Sequence, residues 1–290
     1  MKRFFLIVLA FIGFACGSEN DSQTKIVSGL EIKDNSTPEV ALQRLSNKHW
    51  YTYCSGTLIS SQHILTAAHC SQKNGLSHLA SEVRVRIGHH MVDSQEGLTI
   101  NVREIHSHPD FNEDIMSYRN GDGIVIPHQA ADIAVWTLTE RVKIRPASLS
   151  SEFHHQESFQ DGKHFEVWGY GKKSQWDVRQ KGHSLAMAVI PFQTLTHMYI
   201  RKRVVHRGNY VTKRILVEFD SQSDTEFYLG NQESADTCGG DSGGPVFSPG
   251  FNLLGITSRG PASCVGGGVY TKVVPYEGWI RKTIMLTKAI

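Results

Sequence analysis

The chain reads as an all-β protein, two packed antiparallel barrels followed by a short C-terminal α-helix. Three observations carry that class. Short apolar runs recur with turn residues between them, and glycine is frequent, 26 of 290 residues, as many turns and bulges require. Val83-Arg84-Val85-Arg86-Ile87 alternates with period two, the pattern of a half-buried strand. A helical apolar period appears only near the end, where Tyr276, Ile280, Ile284 and Met285 share a face and Arg281, Lys282 and Lys288 lie elsewhere.

The composition is that of an ordinary globular protein. Hydrophobic residues make up 40% and charged residues 20% of the chain, which excludes disordered, collagen-like and polytopic membrane classes. The 30 Lys+Arg and 28 Asp+Glu leave a formal charge of +2, with no basic excess of the kind nucleic-acid binding needs. No nucleic-acid partner is expected.

The first element is an export signal, residues 1–16. Lys2-Arg3 precedes the apolar stretch Phe4–Phe14, which falls short of the about 20 residues a membrane span requires. Two cleavage modes stay open. Ala15-Cys16-Gly17 supplies small residues for an ordinary signal peptidase; Gly13-Phe14-Ala15-Cys16 resembles a bacterial lipobox, in which Cys16 is lipidated and tethers the chain to a membrane. Export also permits disulfides, and the five cysteines, an odd count, are Cys16, Cys54, Cys70, Cys238 and Cys264. The polar stretch 17–25 reads as a linker or propeptide. Beyond it, Ile133–Trp136, His164–Trp168, Leu253–Thr257 and Gly268–Val273 are further strands.

Three motifs carry chemistry: Leu65-Thr66-Ala67-Ala68-His69-Cys70, Asp132-Ile133-Ala134-Val135 and Cys238-Gly239-Gly240-Asp241-Ser242-Gly243-Gly244-Pro245. A serine hydroxyl is a weak nucleophile; it needs a base, and the base needs a third group to hold its tautomer. His69, Asp132 and Ser242 supply those types. In this order, and with Cys54-Ser55-Gly56-Thr57-Leu58-Ile59, Gly255-Ile256-Thr257-Ser258 and Gly268-Val269-Tyr270-Thr271-Lys272-Val273, the chain resembles the trypsin-like serine proteases of the chymotrypsin fold.

The resemblance implies two six-stranded antiparallel barrels within a peptidase domain, 26–290: an N-terminal barrel at about 26–145, a C-terminal barrel at about 146–275 and a helix at about 276–288. It implies that Ser242 attacks the scissile carbonyl, His69 is the base, Asp132 orients it, and the N–H groups of Gly240 and Ser242 form the oxyanion hole. Ser258 matches the serine that supports the aspartate, and Ser258–Gly260 the segment that pairs with substrate backbone. Asp236, six residues before Ser242, matches the base of the primary pocket, next to Thr237, with Gly260 and Gly268 as walls; a carboxylate there favours Arg or Lys before the scissile bond. Lys25-Ile26-Val27-Ser28-Gly29 resembles an activation site. Cleavage after Lys25, by another protease or by the enzyme itself, frees the Ile26 ammonium to pair with Asp241. Cys54–Cys70 and Cys238–Cys264 match family disulfides, leaving Cys16 over. The expected partners are protein or peptide substrates containing Arg or Lys, and the expected state is a secreted or periplasmic monomer. No cofactor is expected, and no metal, although 15 histidines are present: His89 stands where the first carboxylate ligand of a calcium loop belongs. The alternative is a catalytically silent binding module on the same fold.

The chain also departs from the family pattern. Arg259 replaces a tryptophan; its guanidinium either favours acidic substrate residues or folds toward Asp236. Tyr170 replaces the tryptophan of a Gly-Trp-Gly motif. The stretch Glu113–Gln129 looks like an insertion beside the site, and residues Arg201–Arg214 form a basic segment, read as an exposed strand with charged edges or as an exosite for acidic partners.

Overall fold

Alternation in the sequence becomes alternation in burial: Val83, Val85 and Ile87 are buried, and Arg84 and Arg86 between them are half-exposed. In the computed structural model, which describes residues 29–73, 75–92, 94–119, 124–172, 184–206, 209–230 and 236–287, this strand is one of six that close a barrel. They are β1 (Glu39–Ser46), β2 (His49–Ser60), β3 (His63–Thr66), β4 (Val83–Ile87), β5 (Leu98–Ser107) and β6 (Ala134–Leu138). The closed order is β1-β2-β3-β6-β5-β4, all antiparallel. Val40, Leu42, Leu58, Ile64, Val85 and Trp136 fill its interior.

The second half is one larger sheet. Its longer strands are β7 (His164–Gly169), β8 (Ala186–Pro191), β11 (Glu226–Leu229), β12 (Pro245–Phe247), β13 (Asn252–Arg259) and β14 (Gly268–Lys272). They run in the order β8-β7-β12-β13-β14-β11. Leu30–Glu31 pairs outside β8, and Ser148–Leu149 pairs parallel with β13. Between β8 and β11 the chain leaves the sheet as a hairpin, β9 (Leu195–His206) and β10 (Asn209–Asp220), a separate two-stranded sheet. At the hairpin base the Ser221 N–H donates to the Thr194 carbonyl, and Tyr228 N–H donates to Ser221. Phe165, Ile190, Phe192, Phe227 and Tyr270 share one core, so β8 and β11 face the same interior.

The closing helix (Glu277–Thr287) buries Ile280, Thr283 and Thr287. Met285, placed on that face by its period, is exposed. Five residues beyond Ile280, it is turned well away from the contact stripe. A short helix at Glu152–Ser158, capped by the Ser151 hydroxyl, had no legible period.

Trp168, Tyr170, Leu65, Val135 and Phe247 pack in one cluster at the seam between the two halves. At this seam Glu39, the first residue of β1, is wholly buried, and burial pushes its carboxyl up to about 8, with the Glu166 charge acting in the same direction. The folded state therefore holds a proton that the unfolded chain loses near 4.5, so this group makes stability fall as pH rises from about 4.5 to about 8. Glu39→Gln should gain melting temperature relative to the parent over that range and keep a constant difference above it, read by thermal denaturation at stepped pH.

Candidate active site

His69 sits in a 3-10 turn, Ala68–Ser71, directly after β3. Trp136 of β6 clamps this turn by donating its indole N–H to the Ser71 hydroxyl at 2.8 Å. Asp132 precedes β6 in a tight turn: Ala131 has φ 50°, and the Ile133 N–H donates to the Ala131 carbonyl at 2.8 Å. The two motifs thus meet where adjacent strands begin or end.

The Asp132 carboxylate is fully buried and fully engaged. Oδ1 accepts the His69 backbone N–H at 2.9 Å; Oδ2 lies 2.8 Å from His69 Nδ1 and accepts the Ser258 hydroxyl at 2.6 Å. Ser258 comes from β13, so the second half of the molecule holds a carboxylate of the first. Burial opposes charge on both partners, but each stabilises the other's ionised form. The His69 imidazole is raised above its usual pKa and the Asp132 carboxyl lowered below its own. The His69 side chain remains 22% exposed, open on its far edge.

Ser242 lies across the Cys54–Cys70 disulfide from His69. Cys70 Sγ is 3.7 Å from His69 Nε2 and 3.6 Å from the Ser242 carbonyl oxygen, and that carbonyl accepts the Ser55 N–H at 2.8 Å. Among the described residues no hydrogen bond joins the Ser242 hydroxyl to the His69 ring. Such bonds are often long without substrate and tighten when it binds. The sulfurs of Cys54 and Cys70 and a nitrogen of His69 lie within 4.8 Å of one another, but the sulfurs are spent in the disulfide, so the group offers no thiolate to a metal.

Ser242 opens into a cleft of about 340 Å³ lined also by Thr237, Ser258, Arg259, Gly260 and Lys172. The Cys238–Cys264 disulfide borders it. Gly268 is not among the lining residues but adjoins two of them: a Cβ there would lie 3.1 Å from the Arg259 carbonyl and 3.4 Å from Thr237 Oγ1. Asp236 is not among the residues that line this cleft, although its neighbour Thr237 is; it is buried, its oxygens accepting the Thr237 N–H at 2.7 Å and the Gly267 N–H at 2.6 Å. No basic side chain pairs with it among the described residues, and burial lifts its pKa to about 6.

Gly240 has φ 106°, which a Cβ would forbid, and neither its N–H nor that of Ser242 is used in a hydrogen bond among the described residues. The Gly240 carbonyl accepts the Ser55 hydroxyl, which in turn accepts the Tyr170 N–H. Asp241 is fully buried and accepts from the Gly171 and Cys238 N–H groups. Cβ atoms on Gly169 or Gly171 would stand 2.2 Å or 2.4 Å from its carboxylate, so the glycines flanking Tyr170 leave room for that carboxylate. Tyr170 itself is buried and donates its hydroxyl to the His89 carbonyl. Lys25, Ile26 and Cys16 lie outside the described residues.

Arg259 does not fold toward Asp236. Its guanidinium, nearly buried, grips the wholly buried carboxylate of Glu226 in bidentate fashion at 2.9 and 2.7 Å, and also donates to the Ile126 carbonyl at 3.0 Å. Glu226 accepts in addition the N–H groups of His128 and Ala130. The pair thereby ties the Glu113–Gln129 stretch down and braces the strained turn that presents Asp132. With its charge compensated, Arg259 offers little attraction to acidic substrate residues either. Nothing in the sequence marked Glu226, whose role depends on a contact 33 residues away.

A family model described as Trypsin matches residues 26–280. The chain is similar to cationic trypsin-3 of Rattus norvegicus, 30% identical over 285 residues that span 96% of this chain and 98% of that protein. It is equally similar to trypsin II-P29 of Gallus gallus, 30% identical with 98% and 99% covered. Serine protease ea of Drosophila melanogaster is 27% identical, over 93% of this chain and 69% of that protein.

The Arg259–Glu226 pair sets a stability test. Arg259→Met should cost about 3–5 kcal/mol by leaving a buried carboxylate unpaired, whereas the double variant Arg259→Met/Glu226→Gln should recover most of that loss. Urea denaturation of the three proteins gives the comparison.

Proposed function

Because the chain belongs to the trypsin family of serine endopeptidases, we propose that it cleaves peptide bonds after Arg or Lys with Ser242, His69 and Asp132 as a catalytic triad. The observation that carries the reading is the buried Asp132 carboxylate, bonded to His69 and Ser258 beside the cleft that Ser242 opens into. The Ser242 hydroxyl adds to the scissile carbonyl as His69 Nε2 takes its proton. The resulting oxyanion meets the N–H groups of Gly240 and Ser242, typically worth about 3–4 kcal/mol per donor. The C–N bond breaks as His69 returns the proton to the leaving amine, and water, deprotonated by the same ring, hydrolyses the acyl-enzyme. Asp132 keeps the imidazole in the required tautomer and offsets its charge.

Asp236 supports the cationic specificity. A buried carboxylate with no cationic partner among the described residues gains most from a substrate that brings one. Gly260 and Gly268, without side chains, leave room for a long one. Activation in this reading is cleavage after Lys25, whose side chain suits an Asp236 pocket, and the freed Ile26 ammonium pairs with Asp241, whose burial supports that role. An export signal, with or without lipidation of Cys16, completes the reading.

Arg- and Lys-linked peptide amides should be hydrolysed faster than Leu- or Phe-linked ones, and Ser242→Ala should lower kcat by about 10⁶. N-terminal sequencing of active material should return Ile26; another terminus removes the activation site. For Arg substrates, KM should rise as pH falls through about 6, when Asp236 takes a proton. The acid limb of kcat reports His69, which must be neutral to act. Separate KM and kcat profiles against pH distinguish the two groups.

A further inference from the structure

The β9–β10 hairpin is left over by the catalytic reading. The stretch 201–214 holds six Lys and Arg residues and no carboxylate, whereas the whole chain carries only +2. The rest of the chain, with 24 Lys and Arg against 28 Asp and Glu, is therefore net acidic, and the positive balance comes from this stretch.

The two faces of the hairpin differ. On one, Val211, Ile215, Val217 and Phe219 are half-buried, and the Phe219 ring meets the Tyr228 ring edge-on at 5.1 Å, anchoring the base. On the other, Arg203, Val205, Tyr210, Thr212, Arg214 and Leu216 share one side by register and are all exposed. Val205 and Tyr210 stand directly opposite each other near the tip, 65% and 67% exposed, and Leu216 is 50% exposed. The Arg203 guanidinium lies 4.4 Å from the Tyr210 ring centre. Lys202 is in register with Lys213 on the opposite face. Glu218 and Asp220 occupy the same exposed side nearer the barrel, so charge runs from acidic at the base to basic at the tip.

We propose that this hairpin face docks the protease, tip first, on a membrane surface rich in anionic phospholipid. Arg203 and Arg214 match the headgroup charge. Val205, Tyr210 and Leu216 decide between a bilayer and a hydrated polyanion chain: an aliphatic and an aromatic side chain side by side gain from a headgroup–acyl boundary and gain little from a sulfated glycan or a nucleic acid. The acidic body is repelled by the same surface, which leaves the hairpin as the point of contact. The surface is independent of Cys16 and of the catalytic site.

The test uses the processed protein beginning at Ile26, which lacks both the apolar export signal and the acylation candidate Cys16, with vesicles of phosphatidylcholine alone and of phosphatidylcholine mixed with phosphatidylglycerol. Sedimentation should show binding to the mixed vesicles only, weakening as salt rises. Arg203→Gln/Arg214→Gln should lower the partition coefficient by about 25-fold, roughly 5-fold per cationic side chain. Val205→Ser/Tyr210→Ser should also weaken it, and both double variants should hydrolyse a small soluble Arg amide like the parent, which reports an intact fold. Equal binding to neutral vesicles, unchanged partition in either double variant, or binding to heparin or DNA without binding to vesicles would overturn the proposal.

Discussion

A buried carboxylate at the seam between two β-structures organises this protein. Ionised, Asp132 would cost several kcal/mol to enclose without partners. It is tolerable because a backbone N–H and an imidazole from the first barrel and a hydroxyl from the second sheet converge on it. The residues that satisfy the carboxylate are those that chemistry at Ser242 would require. Docking of the two halves and assembly of the site are therefore the same event, and neither half holds the geometry alone. The strained turn at Ala131 is part of this arrangement, held by Glu226 and, through it, by Arg259.

A second buried carboxylate disciplines the neighbouring loop. Asp241 occupies the space that side chains on Gly169 and Gly171 would take, and its hydrogen bonds fix Cys238 against Gly171. Ser55 adds a link from Tyr170 to the Gly240 carbonyl. Together these contacts set the peptide planes of Gly240 and Ser242, whose N–H groups have no partner among the described residues. Three buried aspartates thus divide the work: Asp132 is saturated, Asp241 shapes the loop, and Asp236 accepts, among the described residues, from backbone donors alone.

Much of this was legible in the residues because it depends on short-range chemistry. The segments around His69, Asp132 and Ser242 keep their spacing, the period-two strand at Val83–Ile87 buries as its pattern requires, and both cysteine pairs form disulfides in the structure. What escaped depends on contacts distant in sequence. Arg259 suggested either an acid-seeking subsite or an arm across the pocket; its partner is Glu226, an unremarkable residue in the sequence that becomes wholly buried in the fold. The basic segment Arg201–Arg214 reads as one exposed strand or an exosite, whereas it is the outer part of a hairpin, Leu195–Asp220, whose two strands pair with each other. Met285 failed for a geometric reason, one position off a stripe that Thr283 and Thr287 complete.

The role of Asp132 is the point on which the catalytic reading stands or falls. Asp132→Asn preserves shape and one acceptor but removes the charge and leaves the imidazole in the wrong tautomer. The decisive measurement is kcat for hydrolysis of an Arg-linked amide by this variant at neutral pH, with circular dichroism confirming the fold. A fall of about 10⁴ with the fold intact is expected; turnover within a few-fold of the parent enzyme would contradict the triad.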